Sequence, residues 1–101
     1  MPELQIKNIV YTDIAFANAS SIKKYLFNKF SEKEVDVFFS LLQSFEMATI
    51  SFPKLYPTTN KKTNIRRAVL SKVLSVFYRI QNSNIEILAI LDNRCDLQEW
   101  I

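Results

Sequence analysis

Three segments rich in β-branched and aromatic residues follow one another with only two residues between them. They cover residues 65–70, 73–81 and 84–92, and the connections are Ser71-Lys72 and Asn82-Ser83. A two-residue connection between strands forms a tight hairpin, because any other path back to the sheet needs more chain. The sequence therefore predicts an antiparallel three-stranded meander at the C-terminal end.

The absence of glycine restricts both the turns and the chemistry. Turn positions with positive φ must be filled by a tolerant residue, and asparagine is the usual one, so we expect Asn82 and Asn84 to serve there. Without glycine, neither a phosphate-binding P-loop nor a dinucleotide-binding turn can form. The sequence therefore predicts no nucleotide cofactor.

The absence of histidine excludes the common nucleophile systems and imidazole metal ligands. The single cysteine, Cys95, cannot form an internal disulfide or a zinc knuckle, and no base lies near it in sequence, so we interpret it as a structural residue. No cofactor or metal is expected, and any catalysis would use lysine, arginine, tyrosine or carboxylates.

The first half of the chain predicts one strand and two helices. Residues 4–11 alternate imperfectly and indicate a strand. A helix follows from an N-cap at Thr12 or Asp13 to about Phe30. Ser31 and Glu34 have the spacing of a capping box and predict the start of a second helix. Prolines in the 53–60 segment then indicate a loop.

These elements fit a single domain, residues 1–101, because chains are usually divided at about 100 to 200 residues per domain. The expected class is α+β, with an N-terminal strand and a helical hairpin packed on a twisted antiparallel sheet that ends in the meander. The N-terminus lacks a basic export signal and no apolar run is long enough to span a bilayer, so we expect a cytoplasmic protein without membrane contact.

The second helix is apolar over more of its surface than one packing contact requires. Its apolar residues include Val35, Phe38, Leu42, Phe45 and Met47. Two interpretations stay open at this point. The helix packs between the first helix and the sheet, or its outer edge forms a surface for a partner.

The net charge of +3 is unevenly distributed. No acidic residue lies between Met47 and Ile85, and this stretch, the basic span, carries seven positive charges, which leaves −4 for the rest. The residues are Lys54, Lys61, Lys62, Arg66, Arg67, Lys72 and Arg79. Such segregation predicts a partner that is an acidic protein segment or the phosphates of a nucleic acid.

The order of elements and three short motifs resemble the RelE/ParE family of bacterial type II toxins. The motifs are an arginine in the second strand (Arg66 or Arg67), the step Tyr78-Arg79-Ile80 in the third, and Arg94-x-Asp96 after the fourth. The resemblance implies a growth-inhibiting toxin of a toxin–antitoxin (TA) pair, silenced by an antitoxin encoded beside it. RelE-like members cut mRNA on the ribosome, whereas ParE-like members act on DNA gyrase.

Departures from the RelE pattern favour the ParE-like alternative. A catalytic arginine position of RelE-like toxins falls near Leu70, and a C-terminal tyrosine position falls near Trp100. Neither side chain carries a proton or a charge at neutral pH. Arg94 matches an arginine present in both branches.

The sequence therefore favours a toxin that binds an essential, gyrase-like target and has no enzymatic activity of its own. The alternatives are a metal-independent, ribosome-dependent mRNA endonuclease and a non-toxic binding module on the same scaffold. Nuclease activity would require Lys61, Lys62, Arg66, Arg67 and Arg94 to converge. The candidate partner-binding residues are Arg66, Arg67, Arg79, Arg94, Asp96 and Trp100, and the expected partners are an acidic antitoxin and either gyrase or the ribosome with its mRNA.

Overall fold

The computed structural model describes residues 5–60 and 62–95. Over these residues the chain forms a five-stranded sheet and a helical hairpin. In chain order the elements are β1 (Asn8–Tyr11), α1 (Asp13–Lys29), α2 (Glu32–Ser51), β2 (Thr58–Asn60), β3 (Ile65–Val69), β4 (Leu74–Gln81) and β5 (Asn84–Asp92). The α+β class, the helical hairpin and the C-terminal meander β3–β5 are confirmed.

The sheet is antiparallel except for one parallel pair at its N-terminal strand, which the sequence did not indicate. Its order is β1-β5-β4-β3-β2, and β1 pairs parallel to β5 while every other pair is antiparallel. The first strand is also shorter than residues 4–11, because Asn8 already pairs with Asn84, the first residue of β5. The strand β2 was not expected, since the 53–60 segment was interpreted as a loop.

The helices begin where the capping residues place them. The Thr12 hydroxyl accepts a hydrogen bond from the Ala15 amide at 3.1 Å, and the Ser31 hydroxyl accepts one from the Glu34 amide at 3.4 Å. Each hydroxyl satisfies an amide that the first helical turn leaves unpaired. In the described part of the chain, no helix is long and apolar enough to cross a membrane.

The helical hairpin covers one face of the sheet. Along β4 the side chains of Leu74, Val76 and Tyr78 are buried toward the helices, as the alternation of the strand predicts. A bulge in β5 lies opposite, because Phe77 pairs with Ala89 while Tyr78 pairs with Ile87. Leu88 is thus an extra residue on β5.

The core lies between the sheet and the helices. Large residues of both helices and of β4 and β5 are buried there together. They include Ile22 and Leu26 of α1, Phe38 and Phe45 of α2, Tyr78 of β4, and Ile85, Ile87 and Ile90 of β5. Cys95 is buried beside them, as a structural residue should be.

The hairpin between β4 and β5 has two residues with positive φ, Asn82 at 53° and Ser83 at 63°. The prediction for Asn82 is confirmed. The prediction for Asn84 is wrong, because Asn84 already belongs to β5 and the second turn position falls to serine. Two consecutive positive φ angles are typical of a type I′ turn, which matches the twist of the flanking strands.

We expect Ser83→Gly to stabilise the protein by about 0.5 to 1 kcal/mol, because a side chain at positive φ costs about 1 kcal/mol. Urea denaturation would measure the free energy of unfolding. Ser20→Gly is the matched control, since Ser20 is exposed in the middle of α1. There the same change should destabilise by about 0.5 kcal/mol, the difference in helix propensity between serine and glycine. Equal destabilisation by both changes would contradict the turn assignment.

Candidate functional site

The two adjacent arginines of β3 lie on opposite faces of the sheet, as alternation in a strand requires. Arg67 is exposed on the face away from the helices. Its guanidinium lies 5.6 Å from the centre of the Phe77 ring and donates to the Ser75 hydroxyl at 3.2 Å. Arg66 lies on the same face as Ala68, which is fully buried. Of these two arginines, only Arg67 is therefore exposed for a partner on the face of the sheet away from the helices.

Arg66 holds the segment that connects α2 to β2. One of its terminal nitrogens (Nη1) donates to the carbonyl of Tyr56 at 2.6 Å and approaches the carbonyl of Lys54 at 3.5 Å. Its Nε is buried and makes no hydrogen bond within the described residues. Tyr78, which pairs with Arg66 across the strands, donates from its hydroxyl to the carbonyl of Pro53 at 2.8 Å. Burial raises the pKa of Tyr78, so this donor stays protonated.

Arg94 lies at the far end of the sheet and is fully engaged. Its Nε and Nη2 donate to the two carboxylate oxygens of Asp92 at 3.1 and 2.8 Å, and its Nη1 donates to Glu34 at 2.9 Å. The ring of Phe30 lies 5.4 Å from the guanidinium carbon. Hydrogen bonds to Asp92 above all raise the pKa of Arg94. Arg94 therefore joins the end of β5 to the turn between the two helices.

Among the described residues, Arg94 pairs with two carboxylates that no sequence motif indicated. Asp92, which lies two residues before Arg94, is completely buried and forms the bidentate pair. Glu34 also departs from the capping box: its amide bonds Ser31, but its carboxylate binds Arg94. Asp96 and Trp100, like Lys61, lie outside the described residues.

Of the five residues that a nuclease site would use, the four that the structure describes, Lys62, Arg66, Arg67 and Arg94, do not converge. Arg66 contacts the segment just after α2, and Arg94 contacts Glu34 at the start of α2. This helix has 20 residues, a length of about 30 Å. Arg67 faces the other side of the sheet, and Lys62 is exposed in the turn between β2 and β3. Arg79, a further partner candidate, is paired with Glu86 at 2.7 Å.

Sequence reasoning missed a groove between the two helices, which we call the helical groove. Its space is about 430 Å³, and apolar side chains line most of it. Phe16 and Ala19 of α1 face Phe39 and Leu42 of α2, and Tyr11 and Glu46 add a polar contact. The spacing of Phe39, Leu42 and Glu46 on one helix face was the available signal.

The polar contact in the helical groove is a hydrogen bond from the Tyr11 hydroxyl to the Glu46 carboxylate at 2.6 Å. Burial first, and this bond second, raise the pKa of Tyr11 well above its ordinary value. The tyrosine thus remains a neutral donor, and Glu46 contributes a negative charge at the side of an otherwise apolar groove.

No protein-family model matches the sequence, and no curated protein matches it either. Solved structures do match. A chain from the chromosomal ParDE TA system of P. aeruginosa superposes with a TM-score of 0.72 over 89% of this chain and 98% of that one, at 13% identity. The chain has the RelE/ParE toxin fold. YafQ from E. coli strain BL21(DE3) has a TM-score of 0.49 and 14% identity, and the match covers 89% of this chain and 96% of YafQ.

Within the RelE/ParE fold, the motif residues of this chain have internal partners. Tyr78 bonds Pro53, Arg79 pairs with Glu86, and Arg94 pairs with Asp92. Leu70, at the position that resemblance assigns to a catalytic arginine, follows β3 and packs partly buried against the core.

We expect Arg66→Ala to lower the free energy of unfolding more than Arg67→Ala does, because only Arg66 forms hydrogen bonds to the segment that connects α2 to β2. Losing the charged hydrogen bonds of Arg66 to the Tyr56 and Lys54 carbonyls should cost about 2 kcal/mol. Losing the exposed Arg67–Phe77 contact should cost about 1 kcal/mol or less. Urea denaturation of both variants measures the difference, with equal m-values as the check that unfolding stays two-state. Equal urea midpoints of unfolding for the two variants would contradict the placement of the Arg66 and Arg67 side chains.

Proposed function

We propose that the protein is the toxin of a type II TA pair, that it acts in the cytoplasm, and that it stops growth by binding an essential target such as DNA gyrase. The fold supports the toxin assignment. The observation that carries the choice of a binding toxin over a nuclease is the separation of Arg66, Arg67 and Arg94 described above.

Cleavage of RNA through its 2′-hydroxyl requires a proton acceptor, stabilisers of phosphate charge and a proton donor around one phosphate. Arg94 cannot reach such a phosphate without leaving Asp92 and Glu34, and Asp92 would then be buried without its partner. Breaking a buried ion pair in this way costs about 3 to 5 kcal/mol. The geometry therefore disfavours a nuclease that relies on Arg94.

The antitoxin is proposed to occupy the helical groove. Its apolar lining favours an amphipathic segment that inserts aliphatic or aromatic side chains. The basic span attracts an acidic chain and speeds encounter, because opposite charges steer association. The apolar groove and the basic span together favour a short, acidic partner that is disordered when free and folds on binding.

Expression of the protein alone is expected to stop growth and leave mRNA intact. Mapping of mRNA 5′ ends after induction would show no new ends on translated messages, and a DNA-damage response would be induced. The matched control is the same induction with the antitoxin co-expressed, which should restore growth. Cuts phased with codons would support the endonuclease instead, and normal growth would support a non-toxic binding module.

Co-expression with the product of the adjacent gene should give a complex that survives purification. Phe39→Asp places a charge in the helical groove and should weaken that complex by at least about tenfold, since a desolvated unpaired charge is costly. Phe27→Asp is the control, because Phe27 is exposed on α1 outside the lining of the groove. Elution of separate proteins at low salt would contradict the antitoxin proposal.

A further inference from the structure

The turn between α2 and β2 exposes large apolar side chains on a fixed backbone. We call residues 52–55 the apolar turn. It is closed by a hydrogen bond from the Leu55 amide to the Phe52 carbonyl at 3.0 Å. The side chains of Phe52 and Leu55 are 66% and 55% exposed. Met47 and Ile50 in the last turns of α2 are also exposed, so four large apolar residues within nine positions face solvent.

The backbone of this turn is held from behind by side chains of the sheet. Tyr78 donates to the Pro53 carbonyl, and Arg66 donates to the carbonyls of Lys54 and Tyr56. To make these bonds Arg66 leaves its Nε buried without a hydrogen bond in the described structure, a cost that native proteins seldom accept. The bonds thus fix the turn in one conformation.

Aromatic packing also holds the segment that contains the apolar turn in place. The Tyr56 ring, one residue after the apolar turn, lies 5.9 Å from the Phe45 ring and 6.3 Å from the Tyr78 ring. Phe45 and Tyr78 are fully buried and lie 5.2 Å apart. Apolar groups on such a fixed backbone lose little conformational entropy when a partner covers them, which is the property of a preorganised interface.

The charged residues from Met47 through the apolar turn and on to β4 are all positive, while Glu46, just before Met47, is acidic and lines the helical groove. Lys54 lies within the turn and Lys62 in the nearby β2–β3 connection, and both are exposed. No acidic residue occurs in the chain from Met47 to Ile85. An apolar centre with a cationic rim is complementary to an apolar pocket bordered by carboxylates.

We propose that the apolar turn is the surface by which this toxin binds its target, and that the target presents a protein pocket, apolar at its centre and bordered by Asp and Glu. The inference rests on the proposed toxin function. A protein fits better than a nucleic acid, because Phe52 is the one aromatic ring among the four exposed apolar residues, and the other three cannot stack on bases. Lys54 is also the single cation within the turn itself. The apolar turn shares no residue with the lining of the helical groove, so we assign the antitoxin and the target to different sites.

The test compares growth arrest, thermal stability and antitoxin binding for Phe52→Ser, Leu55→Ser and Lys54→Glu. Val69→Ser is the matched apolar control, because Val69 is 60% exposed on β3. Lys33→Glu is the matched charge reversal, because Lys33 is exposed near the start of α2. We expect each turn variant to raise survival after induction by about tenfold or more, as loss of an interface anchor does. Melting temperatures and co-purification with the antitoxin should not change, and both controls should arrest growth like the wild type.

The outcomes separate the inference from the proposed function. Arrest by the wild type and by all three turn variants would overturn the inference alone, and a wild type that does not arrest growth would overturn both. Loss of antitoxin binding together with arrest would assign the apolar turn to the antitoxin and overturn the inference. Loss of arrest with Lys54→Glu alone would indicate recognition of charge without apolar contact, as a nucleic acid requires, and would also overturn it.

Discussion

The bulge at Leu88 decides which side chains of β5 face the helices. Before the bulge, the odd-numbered Ile85 and Ile87 are buried on the helical side of the sheet. After it, the even-numbered Ile90 and Asp92 are buried on the same side, because Leu88 adds one residue to the strand. Without the extra residue, strict alternation would turn one half of the strand outward. The core and the helical side of the sheet depend on this one irregularity.

The same bulge fixes α1. The Leu88 carbonyl accepts a hydrogen bond from the Thr12 hydroxyl at 3.1 Å, and the Ile90 amide donates to the Asn18 side chain at 3.0 Å. Two polar side chains of the helix thus satisfy backbone groups at the point where the regular ladder is interrupted. Because Asp92 is directed to the helical side, Arg94 follows it there and binds Glu34. The separation of Arg94 from Arg66 and Arg67 is therefore a consequence of the strand geometry.

Sequence patterns predicted the features that neighbouring residues determine. Thr12 and Ser31 mark helix starts, two-residue connections define the meander, and Arg66 and Arg67 must face opposite ways. The features that were missed join distant parts of the chain. Parallel pairing of β1 with β5, the Thr12 contact to the Leu88 bulge and the Glu34–Arg94 pair join residues 60 or more positions apart. The bulge itself is a register shift between β4 and β5 that strand alternation does not predict. No local pattern shows that the guanidinium of Arg94 will pair with both Asp92 and Glu34.

The motif residues that this chain shares with the RelE/ParE family are explained by their contacts within the fold, without a catalytic role. Tyr78 is completely buried and bonds Pro53, and Arg79 and Arg94 form ion pairs within the chain. Residues with such roles maintain the RelE/ParE fold whatever the target is, which explains why they identify the scaffold and do not distinguish its functions. Functional differences are then expected at exposed residues that the fold positions but that make no contact required for its stability. Tyr78 connects these exposed residues to the residues that maintain the fold. Its ring completes the core while its hydroxyl fixes the backbone that carries Phe52 and Leu55 to the surface.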